Sequence, residues 1–333
     1  MKIVYLKPKS GFITELRSDT LWGLLCWGIR NIFGNSTLET VLESFNENSP
    51  EFLITSAFPY KKSGNDIVQY FPKPFLPVKS FENDLTAIDN KTKLQKSIDE
   101  KKNKKKALLS FNQFQRLINK QISLENAIVE AEQIKLKSVS VTHNTIDRIK
   151  GSTLMKDGVG QLFHKDEFYI ANNSDNENDE TGLFFLIKGN SEKGESALRW
   201  LSHVGFGGDR NTGKGYFNTE IEDFSINEPS DFNAVTTLSL YYPSQIRDEL
   251  RKYKYSPFFN YQLEKRQGFM SFLKYKNFDK PETIMFKEGS VFPSIPEFKH
   301  YGENIVLKEK DVDAGILHPV YQYGYGFMIK LKI

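Results

Sequence analysis

Cysteine is almost absent from this 333-residue chain, and histidine is scarce. The single cysteine, Cys26, excludes an internal disulfide and any cysteine-based zinc site. It lies in the apolar stretch LWGLLCWGI, where a core role is expected rather than a nucleophilic one. The five histidines, His143, His164, His203, His300 and His318, contain no pair at metal-ligand spacing. No serine sits in G-x-S-x-G. No apolar run is long enough to cross a bilayer, and MKIVYLKPK has no apolar signal-peptide core. These absences argue against metal and triad chemistry, and they set the expectation of a cytoplasmic, soluble protein with no cofactor.

Aromatic residues, by contrast, make up 14% of the chain, with 27 Phe and 15 Tyr. That is enough for a large core and for rings on a surface, in a chain long enough for two domains. Net charge is only +3, but it is unevenly placed. Residues 61–140 hold sixteen Lys and Arg against nine Asp and Glu, so they carry +7 and leave about −4 for the rest. A basic segment on a mildly acidic body suggests one surface that faces a polyanion.

The stretch GFGGDRNTGKGYF, Gly205 to Phe217, places five glycines and three charges in thirteen residues. Gly208, Gly213 and Lys214 spell most of a P-loop, but Gly215 stands where the Mg²⁺-binding hydroxyl belongs. The order of elements is also wrong for a P-loop or a dinucleotide fingerprint. Ala197, Leu198, Leu201, Val204 and Phe206 recur at helical spacing before the loop, and YFNTEIEDFSI alternates like a strand after it. A helix C-cap running into a turn would explain one or two of the glycines. Five glycines interleaved with Arg210 and Lys214 also suit close backbone approach and anion or nucleic-acid contact.

Elsewhere, KIVYLKPKS reads as a strand with Ile3 and Tyr5 on one side and Val4 and Leu6 on the other. RSDTLWGLLCWGIRNIFGN reads as a deeply packed helix capped by Ser18 or Asp19, with Ile32 and Phe33 on its apolar surface. Ser36 and Glu39 fit a capping box for a second helix. EFLITSAFPY reads as a strand ended by Pro59, and AVTTLSLYYP as another. Eight lysines between Lys91 and Lys106 make a charged run whose simplest reading is a solvated loop. The acidic NNSDNENDE reads as a hairpin tip. His143, beside Asn144 and near Asp147 and Arg148, is the one candidate for a metal-free general base, against a strand-end hydrogen bond or an RNA contact.

Taken together, SDTLWGLLCW, SAFPY, HNTIDR, GFGGDRNTGKGYF and the closing HPVYQYGYGFMI resemble the RAMP superfamily of CRISPR proteins. They most resemble the family of the fourth subunit of the type III-A (Csm) effector complex, which holds the 5′ handle of the guide RNA. The resemblance implies an α+β fold of two tandem ferredoxin-like (RRM-like) domains, 1–225 and 226–333, with 61–140 as a basic thumb inserted in the first. It implies a non-catalytic RNA-binding subunit whose partners are the crRNA 5′ handle, the large polymerase-like subunit and a neighbouring RAMP backbone subunit. The RNA-binding residues expected are Arg17, Ser18, His143, Asn144, Arg148, Gly205, Gly207, Gly208, Arg210, Gly213, Lys214, Gly215, Tyr323 and Tyr325. The chain lacks the aromatic RNP pattern of ordinary RRMs, so loops rather than a sheet face are expected to grip RNA. The alternatives are a RAMP endoribonuclease with His143 as base, and a protein-only scaffold.

Overall fold

A computed structural model describes residues 1–77, 106–131, 136–157, 159–170, 179–243, 247–270, 278–309 and 319–333. The lysines between 91 and 105, most of the acidic loop and His318 lie outside the described residues.

The opening strand β1 (Lys2–Pro8) has two apolar faces, as its alternation requires. Val4 and Leu6 enter one core, and Ile3 and Tyr5 enter another. The first core lies under helices α1 (Ser18–Phe33), α2 (Asn35–Asn46) and a later helix, α5 (Glu192–Val204). Gly28 of α1 faces Ala197 of α5, where a Cβ would lie 2.6 Å from the alanine methyl, so bare backbone sets how closely the two helices cross.

Three local expectations are corrected here. Ser18 does not cap α1: its N–H donates to Ser56 Oγ at 2.9 Å and its Oγ accepts from the Leu240 N–H at 3.0 Å. Ile32 and Phe33 are about two-fifths exposed, because the last turn of α1 runs past the core. The box on Ser36 does not form, because α2 starts directly after Gly34 (φ +89°) and Ser36 is already helical.

The stretch EFLITSAFPY divides into β2 (Phe52–Ile54) and β3 (Phe58–Ser63), and Pro59 does not end it. The ladder from β3 to β4 (Asp66–Pro72) starts only at Tyr60, so the missing Pro59 N–H interrupts nothing on that side. β5 (Leu108–Ser110) continues the sheet and leads into α3 (Phe111–Ile118), whose capping box pairs Ser110 with Gln113. α4 (Leu124–Glu130) follows. Thus 61–72 and 108–131 build the main sheet and its cover, leaving a narrower interval than 61–140 for any insertion.

Among the described residues a two-stranded arm follows, β6 (Leu136–Asn144) and β7 (Leu162–Ile170), paired from Leu136↔Ile170 to Asn144↔Leu162. After it come β8 (Asp179–Gly189), α5 and β9 (Phe217–Asp223). The seven-stranded sheet has the order β9-β1-β8-β3-β4-β5, with β2 beside β8, and these pairings are antiparallel.

In the C-terminal part, β10 (Ala234–Thr237) lies between β13 (Val291–Pro293) and β14 (Met328–Leu331), while β11 (Leu263–Arg266) pairs with β12 (Thr283–Phe286). β10 is shorter than its sequence suggests. Thr237 Oγ1 bonds both the carbonyl and the N–H of Ser239, a local arrangement that competes with the ladder. Ala234, Leu238, Val291, Phe327, Ile329 and Leu331 complete the second core, with α3 and α4. The main sheet is therefore covered on both faces.

Candidate nucleic-acid interface

The glycine loop caps α5 and leads into β9, the helix-loop-strand order expected. Gly205 (φ +89°) stops the helix, and its N–H donates to the Leu201 carbonyl at 2.7 Å. Asp209 and Gly213, both left-handed, flank a single 3-10 turn, Arg210–Thr212. The loop rests on 9–15: Gly215 N–H donates to Gly11 O at 2.9 Å, and Gly208 N–H to Thr14 Oγ1 at 3.1 Å.

This setting separates the glycines by purpose. At Gly215 (φ +74°) a Cβ would lie 2.0 Å from the Phe206 carbonyl oxygen, and at Gly207 (φ +81°) 2.8 Å from Thr14. Both are bare because the loop packs on its own chain. Gly213 (φ +85°) is exposed, and nothing lies within 4 Å of where its Cβ would be. Asn211 and Thr212 share this exposed rim.

The arm joins the loop at its root. Phe12 and Phe168 exchange both backbone hydrogen bonds, at 3.1 and 2.7 Å. Tyr169 lies over Gly11, where a Cβ would come within 2.8 Å of the ring. Lys165 Nζ pairs with Asp209 at 2.5 Å, and Lys214 Nζ with Glu167 at 2.6 Å. Glu167 is almost fully buried and also accepts from the Tyr169 hydroxyl. The Lys214 and Tyr169 hydrogen bonds hold the Glu167 carboxyl below the usual range. The same bond raises Lys214.

Outward along the arm, the His143 ring stacks on Phe163 with centroids 5.4 Å apart, and its Nε2 is buried without a hydrogen-bond partner among the described residues. Asn144 Nδ2 donates to Thr153 Oγ1 at 3.1 Å, and Arg148 is exposed. Ile146, Ile149, Met155, Val159 and Leu162 are largely exposed, with Ile149 at 97%. Sequence reading missed these apolar residues; their only signal was an apolar residue every few positions in a polar stretch.

Other expected contacts are not available as surface. Arg17 spans Glu288 at 2.9 Å, Glu15 at 3.0 Å and Glu264 at 3.5 Å, and so ties the start of α1 to the C-terminal part. Burial opposes its charge, but these carboxylates outweigh that and raise it. Ser18 is fully buried. Tyr323 and Tyr325 are fully buried in the first core. The Ile54 N–H donates to Tyr323 Oη at 3.2 Å, and Tyr325 donates to the Phe45 carbonyl. Burial pushes Tyr325 up to about 12. Their glycine partners serve internal approach as well: a Cβ on Gly324 would lie 2.3 Å from Glu303 O. Among the described residues no His, Cys, Asp and Glu group could hold a metal, and no helix is long and apolar enough to cross a membrane.

Comparison with known proteins agrees with this geometry. Residues 230–331 match the CRISPR Csm4 C-terminal domain. The chain is 26% identical over 334 residues to the "CRISPR system Cms protein Csm4" of Thermococcus onnurineus, covering 99% of this chain and 96% of that protein. It is also 26% identical over 285 residues to the Csm4 of Methanocaldococcus jannaschii, covering 71% of this chain and 69% of the relative. Its fold is that of a chain in the Csm3-Csm4 subcomplex of the type III-A CRISPR-Cas interference complex, with TM-score 0.61, 18% identity and full coverage of both chains. It also matches a chain of the Csm1-Csm4 cassette in complex with cA4, with TM-score 0.59, 21% identity and coverage of 100% and 98%. Residues 230–331 thus carry the Csm4 C-terminal domain. Over its whole length the chain is similar to a Csm4 protein and shares the fold of the Csm3-Csm4 subcomplex chain.

Proposed function

We propose that the chain is a non-catalytic subunit of a type III-A effector complex that binds the 5′ handle of the crRNA. On this reading it assembles with a Csm1-type large subunit and a Csm3-type backbone subunit, and works in the cytoplasm. The solved likenesses are to chains in assemblies of those kinds. The finer fold reading is two tandem ferredoxin-like domains. In support of the first of them, β1-α1-β3 and β8-α5-β9 give the β-α-β-β-α-β order, with strands side by side as β9-β1-β8-β3.

The observation that carries the RNA reading is the pairing of a covered sheet with an open loop rim. An RRM binds RNA on its sheet face, but here Ile3, Tyr5 and Phe184 are buried beneath other elements. Arg210 and the exposed Asn211–Gly213 backbone lie beside the root of the arm, where single-stranded RNA can meet a cation and bare backbone. Crosslinking a reconstituted complex that carries 5′-labelled guide RNA tests this. Adducts on 210–213 and along 143–163 are expected; adducts confined to other subunits would overturn it.

A further inference from the structure

We infer that Glu167 is a positioning residue, locking the arm to the glycine loop through Lys214, and that Lys214 is a strut rather than a phosphate ligand. This rests on the RNA reading of the same surface. Sequence alone makes Lys214 a free cation in a glycine loop. In the fold its ammonium is 2.6 Å from a carboxylate whose side chain is only 3% exposed, and Tyr169 donates to the same oxygen. For Lys214 to leave Glu167 for a phosphate, the carboxylate would keep only a neutral hydroxyl among its described partners. Leaving a buried charge without its counter-ion costs more than a solvent-facing phosphate contact returns.

The surrounding contacts have the same direction. Lys165–Asp209 makes a second tie between β7 and the loop, at 2.5 Å. The Phe12–Phe168 bridge and Tyr169 on Gly11 fix the same strand to 9–15. Arm and loop are thus joined at one end of the arm by charge and backbone together. His143 and Phe163 lie four residues further along the strand from Glu167, on the order of 13 Å at strand rise. A small rotation at the latch would therefore be amplified where the stacked rings sit. The latch sets the distance between the two places where RNA would be held.

The test uses the full chain in the reconstituted complex. Spin labels at Asn144 and Asn211 report the arm-to-loop distance, and binding of a single-stranded 5′-handle oligonucleotide is measured against salt. Lys214→Met and Glu167→Gln are expected to broaden the distance distribution and leave the salt slope unchanged. Arg210→Ala should lower the slope by roughly 0.7 with the distribution still narrow. The reversal Glu167→Lys with Lys214→Glu should restore a narrow distribution, which an unspecific loss of folding would not do. A slope lowered by about 0.7 in Lys214→Met, with a narrow distribution, would make Lys214 a phosphate ligand and overturn the inference. If the unmodified chain binds no handle, the RNA reading fails, while the distance measurement still decides whether the latch exists.

Discussion

At the residue scale, the glycine loop offers a clean separation of packing from ligand approach. Gly215→Val puts a branched carbon against the Phe206 carbonyl at a left-handed position. It should lower the melting temperature severely, or prevent folding. Gly213→Val meets open space and carries only the left-handed strain, about 1–2 kcal/mol or a few degrees. If bare backbone at 213 meets RNA, this variant should melt near normally yet retain much less guide RNA, read by thermal melting beside RNA co-purification. Full retention would leave Gly213 with only a conformational reason to be glycine. His143→Ala should leave target-RNA cleavage by the assembled complex intact, because the ring is stacked on Phe163 and its buried nitrogen has no hydrogen-bond partner in the described chain. Lost cleavage with RNA still bound would revive the nuclease alternative.

At the element scale, the arm's attachment should respond to acid. The Glu167 carboxyl is held below its ordinary range in the fold, so its contribution is fully present above the unfolded value, near 4.3. It disappears as pH falls through the folded value. Hydrogen exchange of the β7 amides, or proteolysis within the arm, should therefore rise below about pH 4, and Glu167→Gln should flatten that dependence. The element scale is also where the sequence was read best and worst. The helix before the glycine loop and the strand after it were legible because each has one clear period. The arm was legible only in part: AEQIKLKSVSVTHN leads into a strand, which is β6, but β7 exposes both faces and its pairing with β6 has no mark in the sequence. Tyr323 and Tyr325 were misplaced for a related reason. A glycine-aromatic turn looks alike whether it meets RNA or another turn of its own chain, and the contact that decides it, Gly324 against Glu303, is tertiary. Arg17 misled because its three carboxylates are scattered from Glu15 to Glu288 and meet only in the fold.

At the scale of the whole molecule, that arginine joins the start of α1 to the C-terminal part. Arg17→Met would leave Glu288, 6% exposed at its side chain, with only the Ser56 hydroxyl among its described partners. Removing one partner of a buried pair costs about 3–5 kcal/mol. The expectation is one cooperative transition at a markedly lower temperature. A second, separate transition would mean that the joint was all that held the two parts together.

The sheet covered on both faces also constrains how the chain can be made. β1 leaves the ribosome long before Phe327, Ile329 and Leu331, which are part of what covers Ile3 and Tyr5. At about 5–20 residues per second, an apolar sheet face waits on the order of tens of seconds for its final cover. A nascent chain in that interval is a substrate for chaperones, and a truncation after residue 225 would make the interval permanent.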